Sequence, residues 1–161
     1  MPGGLTSRAT GDIEITAMPE VVISELPGRP LLISDVAAND SDKSFTVPAN
    51  YQYSILSVFV TLVTTATVGD RQMVVETQTG AAALIGQQRA GAVQAASLTY
   101  YYQFSPSCAD LTAVRDATYL STPLPLLLLP ATYVLRVYDN AAVDAAADDM
   151  SVQILVLREP V

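Results

Sequence analysis

Residues 47 to 64, VPANYQYSILSVFVTLVT, constrain the fold of this chain more than any other stretch. The run is introduced by Pro48-Ala49-Asn50 and is rich in β-branched and aromatic residues, the composition of a strand. Gln52, Ser54, Leu56, Val58, Val60 and Leu62 share one register; Tyr51, Tyr53, Ile55, Phe59 and Val63 fall in the other. Side chains alternate with a period of two, so both faces carry apolar groups. Such a strand is expected in the middle of a sheet, or with one face against another subunit.

Other strand-like runs recur about every ten residues, separated by turn signals. Residues 43–47 form a short strand before the central one. Val68-Gly69-Asp70-Arg71 turns the chain into 72–78, and Thr79-Gly80 turns it into 81–85. Residues 86–91, GQQRAG, read as a loop, and 92–104 as a second long strand. A short strand at 117–122 precedes the apolar connection LPLLLL (124–129), expected to cover one end of the core. Residues 133–138 alternate cleanly, and 150–158 form the last strand. No stretch has convincing helical periodicity. The expected fold is all-β: an antiparallel β-sandwich, jelly-roll-like, over residues 43–161.

Residues 1–42 read differently. Pro2, Pro19, Pro27 and Pro30 interrupt the short alternating pieces 12–16, 20–24 and 31–33. Seven acids against Arg8 and Arg29 leave five net negative charges. The segment reads either as a tail with some edge strands or as an extended arm adding strands to a neighbouring subunit. The cluster 37–42 marks the boundary.

Composition narrows the function. The net charge is −8, with a single lysine, Lys43, and scattered arginines, so a phosphate-tracking nucleic-acid binder is not expected. Charged residues make up only 15%, well below the usual quarter, as for a surface largely covered by partners. Cys108 is the only cysteine, so no intrachain disulfide can form. The start Met1-Pro2-Gly3-Gly4 does not read as a signal peptide, and the apolar runs are short; a soluble protein without membrane association is expected.

No catalytic constellation emerges. The chain lacks histidine, a nucleophile elbow and a P-loop, so neither an enzyme nor a cofactor is expected. The loop 139–149 concentrates Asp139, Asp144, Asp148 and Asp149, but its spacing is not that of an EF-hand. It reads as a solvated turn rather than a calcium site. Tyr100, Tyr101, Tyr102 and Phe104 offer a stacking platform on one reading and core-rim or interface packing on the other; the absence of Trp favours the second. No catalytic, cofactor or metal residue is assigned.

Four segments carry a resemblance: 47–62, Thr64-Thr65-Ala66-Thr67-Val68-Gly69-Asp70-Arg71-Gln72, Leu129 to Asp139, and Ala145 to Val152. Over residues 45–158 the chain resembles small β-sandwich virion structural proteins of tailed bacteriophages. The resemblance implies a capsid cement, or decoration, protein made in the host bacterial cytoplasm and placed on the capsid surface. Its implied partners are the major capsid protein and further copies of itself, as a trimer or dimer. The alternative implied role is a tail, baseplate or head–tail accessory protein, including a host-surface binding module.

Overall fold

The computed structural model describes residues 28–106, 117–141, 143–144 and 146–161. Ten strands follow in order: β1 (Arg29–Asp35), β2 (Asp42–Thr46), β3 (Tyr51–Val63), β4 (Met73–Gln78), β5 (Leu84–Arg89), β6 (Thr99–Ser105), β7 (Tyr119–Pro123), β8 (Leu127–Leu129), β9 (Val134–Asp139) and β10 (Asp149–Pro160). They form two sheets, ordered β1-β10-β3-β6-β7 with β8 also on β3, and β2-β9-β4-β5.

The topology follows from one folded ribbon. The chain doubles back between β4 and β5, and outward from that hairpin β3 pairs β6, β2 pairs β9 and β1 pairs β10, all antiparallel. Wrapping the ribbon adds β10 to β3 and β9 to β4. Eight strands in two such sheets are a jelly roll, as expected from the strand spacing. Between the sheets lie Ile55, Val58, Val60, Leu62, Met73, Val75, Tyr102, Phe104, Leu135, Val137, Met150, Val152, Ile154 and Val156. Fully burying each aliphatic side chain contributes about 1.5–3 kcal/mol.

The central strand departs from its expected geometry. It lies between β10 on one side and β6 with β8 on the other. Its apolar residues occupy both registers because of a bulge: Leu155 faces Ser57 while Val156 faces Ile55, leaving Leu56 as the extra residue. Tyr53 and Ile55 before the bulge, and Val58, Val60 and Leu62 after it, therefore all point inward.

Other expectations need correction. Residues 92–98 do not join β6. Arg71 and Gln94 form an isolated bridge, and Ser97 then adopts φ 60°, which a continuing strand cannot accommodate. The expected loop 86–91 is instead largely β5. Its signal is weak because Gly86 and Gln88, on the inner side, lie at an open edge of the sandwich rather than in the core. β7 runs parallel to β6, so the sheet is antiparallel except for that pair. The apolar connection contains β8, which pairs with the start of β3.

Residues 31–33 lie within β1, which pairs with β10 of this same chain. The one lysine holds the following connection: Lys43 Nζ donates to Asn39 Oδ1 at 2.7 Å and Ala37 O at 3.1 Å, with Asp35 at 3.4 Å. The pieces 12–16 and 20–24, and Cys108, lie outside the described residues.

Candidate interaction surface

The outer faces of the two sheets have opposite chemistry. Pairing register places the outward residues of the six-stranded sheet in successive rows. Pro30, Leu157, Ser54 and Leu128 form one; Leu32, Leu155 and Ser57 the next. Ser34, Gln153, Phe59, Gln103 and Ser121 form a third, and Ser151, Thr61, Tyr101 and Tyr119 a fourth. None of these residues is charged.

Toward the β7 edge of this face Phe59, Tyr101 and Tyr119 pack as a triangle, with ring centroids 6.0–6.4 Å apart. Tyr101 and Tyr119 remain 37% exposed, and the aliphatic Leu32 and Leu128 are 58% and 56% exposed. The four rings of the 100–104 segment therefore do not make one platform. Tyr102 and Phe104 are buried between the sheets, while Tyr101 alternates to the outside. Its ring partners come from β3 and β7, a three-strand juxtaposition that no single stretch of sequence displays.

The four-stranded sheet presents a closed polar network instead. Arg136 forms a two-pronged pair with Asp42, its Nε at 2.9 Å from Oδ1, and its guanidinium lies 4.2 Å from the Tyr138 ring. The Tyr138 hydroxyl donates to Glu76 Oε2 at 2.8 Å, and Gln87 and Gln78 donate to the same carboxylate at 3.0 and 2.6 Å. Burial works to raise the Glu76 pKa, but these donors outweigh it and hold the carboxyl below its ordinary range. Groups satisfied in this way gain little from a new partner.

At one end of the sandwich lies a buried polar knot. Arg71 is 0% exposed, yet all five guanidinium N–H groups have acceptors. Nε and Nη2 donate to Asp148 Oδ2 and Oδ1 at 2.7 and 3.1 Å. Nη1 donates to the Thr67 and Gly69 carbonyls at 2.8 and 2.7 Å, and Nη2 also to Thr65 Oγ1 at 3.3 Å. The Thr65 amide donates to Asp148 Oδ1 at 2.7 Å, while the Thr65 and Thr67 hydroxyls donate to Asp144 at 2.6 and 2.8 Å. Gln94 continues the network: its amide nitrogen donates to the Leu62 and Leu98 carbonyls, and its oxygen accepts from the Tyr102 hydroxyl, each at 2.9 Å.

The loop 139–149 is therefore not simply a solvated turn. Asp148 is buried; desolvation opposes its charge, but Arg71 and Thr65 override it and keep the carboxyl below its ordinary range. Asp139 shifts the other way, raised chiefly by burial, although its Oδ1 accepts from the Gln72 and Ala141 amides. Its Oδ2, like Ser41 Oγ, is buried without a hydrogen-bond partner among the described residues. No group of His, Cys, Asp and Glu suited to a metal occurs among the described residues. This knot joins Thr64–Gln72 to Asp139–Asp149 and has the character of a structural clasp.

No family model and no curated protein matches the chain. Several solved structures are loosely similar. An arabinose-bound α-L-arabinofuranosidase, MgGH51, aligns at 12% identity and TM-score 0.35, covering 81% of this chain and 19% of that one. Turnip yellow mosaic virus aligns at 12% identity and TM-score 0.30, covering 83% and 80%. Infectious bursal disease virus, Gx strain, aligns at 12% and 0.30, covering 81% and 31%. This chain thus spans about a fifth of the arabinofuranosidase chain. Scores at this level assign neither family nor activity.

Proposed function

We propose that the protein is a virion structural subunit: a capsid cement protein of a tailed bacteriophage that bridges neighbouring major capsid subunits as a homotrimer or dimer. The observation that carries this reading is the set of uncharged middle rows on the outer face of the six-stranded sheet, with exposed Leu32, Leu128, Tyr101 and Tyr119; charge enters this face only in the end rows, at Asp149 beside Val63 and Glu159 beside Gln52. Exposed apolar patches of this kind mark contact surfaces, and aromatic residues are enriched at the buried centres of interfaces. The opposite, ion-paired face would meet solvent. The resemblance carried by residues 45–158 points to the same role. Jelly rolls also serve lectins and cupins, so the fold by itself does not select it. The net charge of −8 favours a site away from packaged DNA.

Bridging is a contact task. An interface of standard size buries about 800 Å² per partner, and its binding free energy stabilises the joined subunits. The test is co-sedimentation with purified shells of the parent virus. Saturable binding that raises the shells' disruption temperature supports cement. Binding to tails or host cells, with none to shells, would move the assignment to a tail or baseplate accessory protein.

A further inference from the structure

We propose that the free edge of β5, with the pocket beneath it, accepts residues Asp12–Thr16 of a second copy as an added strand. The inference concerns the free protein and stands apart from any role on a shell.

β5 ends the four-stranded sheet and, among the described residues, pairs only with β4, so every second backbone N–H and C=O along it points outward from that sheet. Directly inside this edge the two sheets separate. A pocket of ≈ 170 Å³ opens there, lined by Val75, Thr77, Gly86, Gln88, Leu124 and Leu127 among others. Gly86 contributes no side chain, and it is not in the left-handed region. A Cβ built at Gly86 would meet only Thr77 Oγ1, at an ordinary 3.5 Å. An open edge beside an apolar pocket is the arrangement that binds an extended peptide: backbone hydrogen bonds hold the strand, and alternate side chains fill the pocket.

The charge pattern selects the occupant. On its outer face β5 carries Arg89, whose Nε donates to Gln87 Oε1 at 2.9 Å. Arg89 has no carboxylate within 4.0 Å among the described residues. The segment Asp12-Ile13-Glu14-Ile15-Thr16 alternates in the complementary sense. With Ile13 and Ile15 directed to the pocket, Asp12 and Glu14 fall on the Arg89 side. Eleven residues, hence twelve Cα-to-Cα steps, separate Thr16 from Gly28. At about 3.3 Å each they span about 40 Å, more than the diameter of a small domain. β1, where this stretch enters, and β5 end different sheets. This reach extends to a neighbouring copy, and the concentration dependence of β5 protection separates that docking from docking on the chain's own β5.

The experiment uses the full chain in solution. Mass is followed by light scattering against concentration, with amide exchange read on β5. Wild type should self-associate, with β5 amides protected as the mass grows. Gly86→Leu, whose Cβ finds ordinary contact and whose longer side chain would occupy the pocket, and the pair Ile13→Asp with Ile15→Asp should each weaken association at least tenfold. Arg89→Glu should weaken it about fivefold, and adding Glu14→Arg should restore it to within twofold. Any of three results overturns the proposal: a wild type that stays monomeric, a Gly86→Leu protein that associates like wild type, or a charge swap that restores nothing. Concentration-independent protection of β5 in a monomer would place the chain's own segment there and overturn the second-copy assignment.

Discussion

Replacing Asp148 with Ala tests the clasp between Thr64–Gln72 and Asp139–Asp149. The change leaves a guanidinium at 0% exposure without its counter-ion and takes away the acceptors of two of its five N–H groups. The Thr65 amide loses its acceptor as well. Removing one partner of a buried pair costs about 3–5 kcal/mol, mostly from the stranded charge. For a chain of this size, that lowers the melting temperature by about 6–20 °C. The internal comparison is Asp42→Ala, which breaks an equally two-pronged pair with the one-third-exposed Arg136. That loss should stay near 1 kcal/mol or below. Urea unfolding of both variants, with Arg71→Leu and the Arg71→Leu/Asp148→Ala double, completes a cycle. The double should cost less than the sum of the singles by about 1–3 kcal/mol. An Asp148→Ala cost below about 1 kcal/mol, or no coupling with Arg71, would refute the buried-pair reasoning.

Further outcomes are expected. Asp139→Asn keeps an oxygen for the Gln72 and Ala141 amides while removing a buried charge. The native Asp139 pKa is raised above its unfolded value, so this residue favours folding most at low pH and less as pH rises through the native value. Asp139→Asn should therefore stabilise by about 1 kcal/mol at neutral pH, with the gain fading in acid. Asp148 has the opposite sign: its lowered native pKa favours folding above the unfolded carboxylate range, and this is lost as pH falls through the native value. Comparing thermal melts of wild type and the two Asp variants at pH 3 and pH 7 reads both trends. Gly69→Ala should cost more than about 1 kcal/mol in the same melts. Its φ is 149°, and the new Cβ would lie 2.8 Å from Val143 Cγ2. Tyr101→Ser should change stability by no more than about 1 kcal/mol but reduce shell binding, since the ring is part-exposed on the outer face.

The strands were largely legible because their faces alternate or because they are long and β-branched. Residues 133–138 show this plainly: Leu135 and Val137 point inward, while Arg136 and Tyr138 point to the polar face. The β4–β5 hairpin was legible, but its turn signals put the second strand at 81–85 rather than Leu84–Arg89, since an edge strand with an inner face open to a pocket needs no apolar alternation. The bulge at Leu56 was hidden for a related reason. Apolar residues in both registers read as two apolar faces, whereas one extra residue turned them onto one face.

The interaction surface and the clasp were the least legible parts. The Phe59–Tyr101–Tyr119 triangle requires the β3-β6-β7 order, including a parallel pair. The clasp joins residues about 77 positions apart. Arg71 and Asp148 each look like ordinary turn charges until the fold brings them together. The quoted motifs that contain them, 64–72 and 145–152, mark a packing requirement rather than chemistry on a substrate.

The most direct measurement is oxidative footprinting of the protein free and on intact virions. The account predicts protection of Tyr101, Tyr119, Leu128 and Leu155 on the virion, while Tyr138 on the four-stranded sheet stays as reactive as in the free protein. Protection of Tyr138 with unchanged labelling of Tyr101 and Tyr119 would contradict it.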